Sequence, residues 1–239
     1  MFKLGCLPGR IPVGLRELTY YAAGDLPQAP PSVLVPAVAS WGMDGNDVYG
    51  DCGVAGGNHG FMACASILGK AETFPGTEQI TDYYLTYTGG QDDGVVLSDY
   101  LAYVRANQFF GHTISQYAPV AVSDVPTLSF AIWAYGFAYT GISVTQAMMD
   151  AVEGQAEWQP WTVQMAQGAP VGGHCIPLVG YDDQFLYAVT WGAIQKITYP
   201  AWHAMAREAW AVITGEFAAG DSHGVSLAAL TADLPELSK

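Results

Sequence analysis

The longest run of small and apolar residues, 51–68, reads Asp-Cys-Gly-Val-Ala-Gly-Gly-Asn-His-Gly-Phe-Met-Ala-Cys-Ala-Ser-Ile-Leu. Asp51 is placed to cap it and Gly69 to end it, so the pattern predicts a buried helix whose glycines admit close neighbours. Further helices are predicted over 78–87 and over 98–107, where Tyr100, Leu101 and Val104 recur at helical spacing. A fourth follows Asp124, with Pro126 in its first turn. The period then changes. The stretches 137–144, 175–181 and 185–190 are rich in aromatic and branched residues and predict strands, with 181–184 as the turn between the last two. A helix over 200–208 and a closing strand over 209–213 complete the pattern. Helices first and strands later predict an α+β fold with segregated lobes.

Six of the 14 prolines fall within the first 36 residues, which favours an extended arm over helix or inner strand. The chain therefore divides into an arm over 1–36, a domain over 37–213 and a tail over 214–239. No repeat or low-complexity tract is visible.

Composition narrows the function classes. Of 239 residues, 51% are hydrophobic and only 13% charged, against roughly 25% charged in an average soluble domain. Eight Lys and Arg stand against 22 Asp and Glu, giving a net charge of −14 with no basic cluster. Nucleic acid and anionic membrane surfaces are excluded as partners on that ground. Two stretches, 125–149 and 158–181, carry no charged side chain. Pro126, Gly136 and Gly141 interrupt the first and acidic residues flank it, so both read as buried interior and not as membrane spans. Residues 1–14 lack the continuous apolar core of an export signal, so a cytoplasmic location is expected, or a phage virion if the chain is virus-encoded.

Four cysteines, Cys6, Cys52, Cys64 and Cys175, match no disulfide scaffold and read as free thiols. Cys52 and His59 are seven apart, on one helix face, but no second close Cys or His pair exists, so neither a zinc site nor any cofactor is expected. His59 itself reads as a residue packed within the helix.

Two motifs carry chemistry. In Asn46-Asp-Val-Tyr-Gly-Asp-Cys52-Gly, a glycine-punctuated loop delivers a cysteine to the first turn of a buried helix. The positive end of the helix dipole there favours a thiolate, which predicts a lowered thiol pKa. In Gly172-Gly-His174-Cys-Ile-Pro-Leu-Val-Gly-Tyr-Asp-Asp183, a histidine opens an apolar strand. Cys52 and His174 are 122 residues apart in the chain, so only the fold can join them. A thiolate beside an imidazole is the standard nucleophile for attack on a carbonyl.

The order of these motifs resembles the papain-like cysteine peptidases: nucleophile on a central helix, histidine strand, turn, then a strand ending in Trp-Gly. The resemblance spans roughly 40–213 and implies a papain-like α+β fold, a helical lobe with a central nucleophile helix facing an antiparallel β-rich lobe. It also implies a peptide or protein substrate. Asn46 stands where the family places its oxyanion-hole glutamine, six before the nucleophile, and Gly50 fits the glycine two before it. Trp191-Gly192 resembles the Trp-Gly that follows the orienting asparagine. That asparagine is missing: one register puts Val189 in its place, the other Thr190, and only threonine has a hydroxyl to aim a ring. Tyr49 replaces the family's disulfide cysteine and Gly53 its tryptophan. This version, with Val-Thr-Trp-Gly, is similar to uncharacterised bacterial and phage-encoded members. The family's long inhibitory prosegment is not seen, so control by zymogen cleavage is not expected.

These readings assign Cys52, His174, Asn46 and Thr190 as candidate catalytic residues of a thiol hydrolase acting on a peptide or related acyl bond. The alternative from a different class is a catalytically silent domain serving as a structural or binding component, for example of a phage particle, docked through the arm or the tail.

Overall fold

The computed structural model describes residues 2–235. Its helices are α1 (Cys52–Ile67), α2 (Thr77–Tyr87), α3 (Leu97–Asn107), α4 (Val125–Tyr135), α5 (Gln146–Asp150), α6 (Val163–Ala166), α7 (Tyr199–Met205), α8 (Gly215–Ala218) and α9 (Leu227–Asp233). Its strands are β1 (Ile114–Val120), β2 (Ala138–Thr145), β3 (Pro170–Tyr181), β4 (Phe185–Thr190), β5 (Ala193–Thr198) and β6 (Ala206–Thr214). The strands form one sheet in the order β1-β6-β2-β3-β4-β5, with every neighbouring pair antiparallel. Helices lead and strands follow, as the pattern predicts.

Local chemistry accounts for the ends of α4. Asp124 accepts hydrogen bonds from the Thr127 amide at 3.1 Å and from its hydroxyl at 2.6 Å, Pro126 lies in the first turn, and Gly136 ends the helix at φ +88°. The charge-free stretch 125–149 becomes α4, β2 and the start of α5, most of it buried. Helix α1 lies against β3. Its Gly60 is required by packing: a Cβ there would stand 2.5 Å from the Phe137 ring.

Four elements differ from expectation. Strand β1 was hidden by Ser115, Gln116 and Pro119, and β5 by its short Ala-Ile-Gln-Lys-Ile-Thr run. Strand β3 begins at Pro170, because pairing of Gly172 and Gly173 with Val144 and Ser143 outweighs the poor strand propensity of glycine. The helix predicted over 200–208 stops at Met205, since Ala206 and Glu208 pair with β2.

The N-terminal residues are part of the packed structure. Cys6, Leu15, Leu18 and Tyr21 are buried in the same core as the sheet. The amides of Gly5 and Cys6 donate to Gly173 O on β3, while Leu7 N–H and Val95 O, and Val95 N–H and Gly5 O, pair on the helical side. Residues 3–7 thus run between the two lobes. Among the described residues no helix is long and apolar enough to cross a membrane.

Candidate active site

Cys52 is the first residue of α1, behind the turn 42–51 that folds back through left-handed Gly42, Asp44 and Gly45. Its sulfur accepts the Cys175 amide at 3.3 Å, which sets the nucleophile candidate against the strand residue next to His174. His174 stands on β3 opposite Ile142 of β2. Its Nε2 is 2.7 Å from the Thr190 hydroxyl, its ring stacks on Trp191 with centroids 4.2 Å apart, and its Nδ1 is buried with no hydrogen-bond partner. Thr190 rather than Val189 thus meets the imidazole.

Cys52, His174, Thr190 and Asn46 line one cavity together with Met43, His59 and Trp191. All four sequence-derived candidates therefore meet at one place. The space is only about 10 Å³, less than a water molecule needs. The arm covers it. Lys3 N–H donates to Asn46 O at 2.9 Å, Trp191 Nε1–H donates to Lys3 O at 3.2 Å, and the Gly5 amide points at the Cys52 sulfur. The Asn46 side-chain amide donates to Tyr49 O at 3.1 Å.

Burial governs the electrostatics. It pushes the Cys52 thiol up to about 12, against the opposing hydrogen bond from Cys175, and the charge of Asp51 adds to the rise. His174 is pushed down to about 3, first by burial and second by the facing His59. The lowered thiol pKa expected from the helix start is therefore reversed: with the arm in place both groups are neutral, because desolvation outweighs the helix dipole. Burial also lifts the Asp51 carboxyl to about 8, with the Asn46 side chain opposing.

Two neighbours of the cavity were not read as such in the sequence. His59 faces the same cavity from two turns along α1, although the seven-residue spacing from Cys52 was visible. The strap formed by residues 3–7 had no local signal, because it binds through backbone groups. Among the described residues no group of three or more His, Cys, Asp or Glu is placed to hold a metal ion.

No protein-family model matches the sequence, and no curated protein matches it. Solved structures do match. Xylellain, a cysteine protease from Xylella fastidiosa, superposes with a TM-score of 0.65 at 14% identity over 89% of this chain and 96% of that one. The cysteine protease and lectin-like domains of Cwp84, a surface layer associated protein of Clostridium difficile, superpose with a TM-score of 0.54 at 12% identity over 86% of this chain and 55% of that one. The chain has the papain-like cysteine protease fold.

Proposed function

We propose that this chain is a thiol hydrolase that cleaves a peptide or related acyl bond when its N-terminal strap is displaced. The observation that carries the reading is the Thr190–His174 contact, which engages Nε2 and leaves Nδ1 without a partner, on a residue that lines one cavity with Cys52. In the proposed reaction, Nδ1 takes the proton from Sγ as sulfur attacks the carbonyl carbon, then gives it to the leaving amine. Water attacks the thioester next and restores the thiol. The Cys52 backbone N–H, unpaired by helix geometry at the first position, is the oxyanion donor, joined by the Asn46 side chain once it turns away from Tyr49 O. Loss of one such donor typically costs about 100- to 1000-fold in rate.

The covered cavity and the threonine in place of an amide support a second reading, a silent domain that uses the fold for binding. One experiment separates the two. Full-length protein and its Cys52→Ala variant are incubated with an unstructured protein substrate at several pH values, and new termini are mapped by mass spectrometry. Cleavage present in the wild type and absent in Cys52→Ala supports the hydrolase. No Cys52-dependent cleavage at any pH, including conditions in which Cys52 becomes open to alkylation, leaves the silent domain.

A further inference from the structure

The strap lies in a slot walled by glycines. A Cβ on Gly5 would overlap Gly50 O, one on Gly94 would overlap Gly5 O, and one on Gly173 would overlap Cys6 O. The slot therefore passes a bare backbone at this point and no side chain. Main-chain bonds hold residues 5–7 in it: Gly5 and Cys6 donate to Gly173 O at 3.1 and 3.0 Å, while Leu7 N–H donates to Val95 O and Val95 N–H to Gly5 O, each at 2.8 Å. A peptide backbone is thus the ligand that fits here, and the Gly5 amide is the group that points at the Cys52 sulfur. The neighbouring position differs, since the Leu4 side chain packs over Gly172, where a Cβ would stand 2.7 Å from Leu4 Cδ1.

The walls are fixed by a brace. Asp92 Oδ1 accepts the Gly50 amide and the Tyr84 hydroxyl, each at 2.8 Å, and the same hydroxyl accepts the Gly94 amide at 2.8 Å. Tyr84 is fully buried, and Gly94 holds φ +76°, a left-handed backbone closed to most side chains. Across the slot, Gly173 is pinned within β3 by its pairing with Ser143.

We propose that this slot selects glycine at the substrate residue seated against Cys52, so that the chain acts on glycine-containing peptides, with Asp92 and Tyr84 as positioning residues that set the slot's width. The proposal rests on the hydrolase reading for the bond that is broken, not for the selection. A substrate that reaches Cys52 takes the place of the strap, because the space beneath the strap, about 10 Å³, is too small for one. It then passes between the same walls. An alanine methyl at the Gly5 place would meet Gly50 O, and a main-chain oxygen on a residue tied to Asp92 cannot swing aside as a side chain would.

The test compares acetyl-Leu-Gly and acetyl-Leu-Ala chloromethyl ketones on the full chain. The Cys52 sulfur displaces chloride from either reagent to form a thioether, located by peptide mapping, and each rate is divided by that of the same reagent with glutathione. Both reagents compete with the same strap, so its opening cancels from the ratio. The glycyl reagent is expected to label Cys52 about 10- to 100-fold faster. Asp92→Ala, at an exposed residue, is expected to lower that ratio by about tenfold. A brace that served stability alone would lower the melting temperature and leave the ratio in place. Equal rates in the wild type, or a ratio that Asp92→Ala leaves untouched, overturns the proposal. Should Asp92→Ala fail to fold, Tyr84→Phe carries the same measurement with the same outcomes. Cleavage of an unstructured protein, scored separately, keeps the two readings apart: glycine preference in labelling without cleavage removes the hydrolase and keeps the slot, while Cys52-dependent cleavage with no preference for glycine does the reverse.

Discussion

The ring of Phe2 lies flat on the indole of Trp191, centroids 4.7 Å apart and planes 10° from parallel, and Trp191 in turn stacks on His174. The strap is therefore anchored on the same aromatic surface that supports the candidate base. Phe2→Ala removes a stacking contact worth about 0.5–1.5 kcal/mol beyond its buried area. Cys52 alkylation should accelerate roughly 3- to 10-fold, since the open population rises by that factor. An unchanged rate would mean that the strap does not limit access.

The covered state should have a pH window of its own. His174, near 3 when covered and near 6.5 when solvated, binds its proton only once uncovered, so acid favours opening progressively between about pH 6.5 and 3. Cys52, near 12 when covered and near 9 when solvated, loses its proton more readily uncovered, so alkali favours opening between about pH 9 and 12. The strap should be tightest between roughly pH 6.5 and 9. Hydrogen exchange of the Gly5 and Cys6 amides, corrected for intrinsic rates, measures it, and protection that is flat with pH contradicts the assignment.

Thr190 should matter through the hydrogen bond to His174. Thr190→Val leaves Nε2 buried without a partner, costing about 1–3 kcal/mol of stability. It should also reduce Cys52 reactivity, at equal strap opening, by about 10- to 100-fold. Thr190→Asn should restore the reactivity. Equal rates in all three proteins would remove Thr190 from the site.

Asp51 offers a stability test independent of activity. A carboxyl raised to about 8 in the folded chain and near 3.8 unfolded adds stability that is complete below about pH 3.8 and is lost as pH climbs towards 8. Asp51→Asn should therefore be more stabilising at pH 8 than at pH 4, by on the order of a few kcal/mol, read as a larger rise in melting temperature at pH 8. Parallel melting curves for the two proteins across that range would show that the carboxyl is not buried as a neutral acid.

Much of this site was legible because it depends on local chemistry. A cysteine after a glycine-rich turn at the start of a small-residue helix, and a histidine after two glycines at an apolar strand, are visible in the order of residues, and so is the hydroxyl of Thr190. What escaped depends on partners distant in the chain. Strand β1 exists because β6 pairs with it from Thr214 to Ala209, and no propensity in Ser115, Gln116 or Pro119 announces that. The protonation states escaped for the same reason: a helix start is read from six residues, whereas the water excluded by Lys3 and Gly5 depends on chain more than 40 residues away.

Gly5 faces Gly50 so closely that a Cβ on either would meet the other's backbone region. Because the strap is tethered to the protein it covers, its effective concentration at the cleft is of the order of millimolar and does not fall on dilution. An external ligand competes with a segment that is always present, so its apparent affinity is its intrinsic affinity multiplied by the fraction of molecules open. A free peptide with the sequence of residues 2–7 would be a poor inhibitor in trans however well the same residues fit in cis. Any partner that draws the arm away would raise the apparent affinity of every ligand of the cleft by one common factor, whatever their sequences.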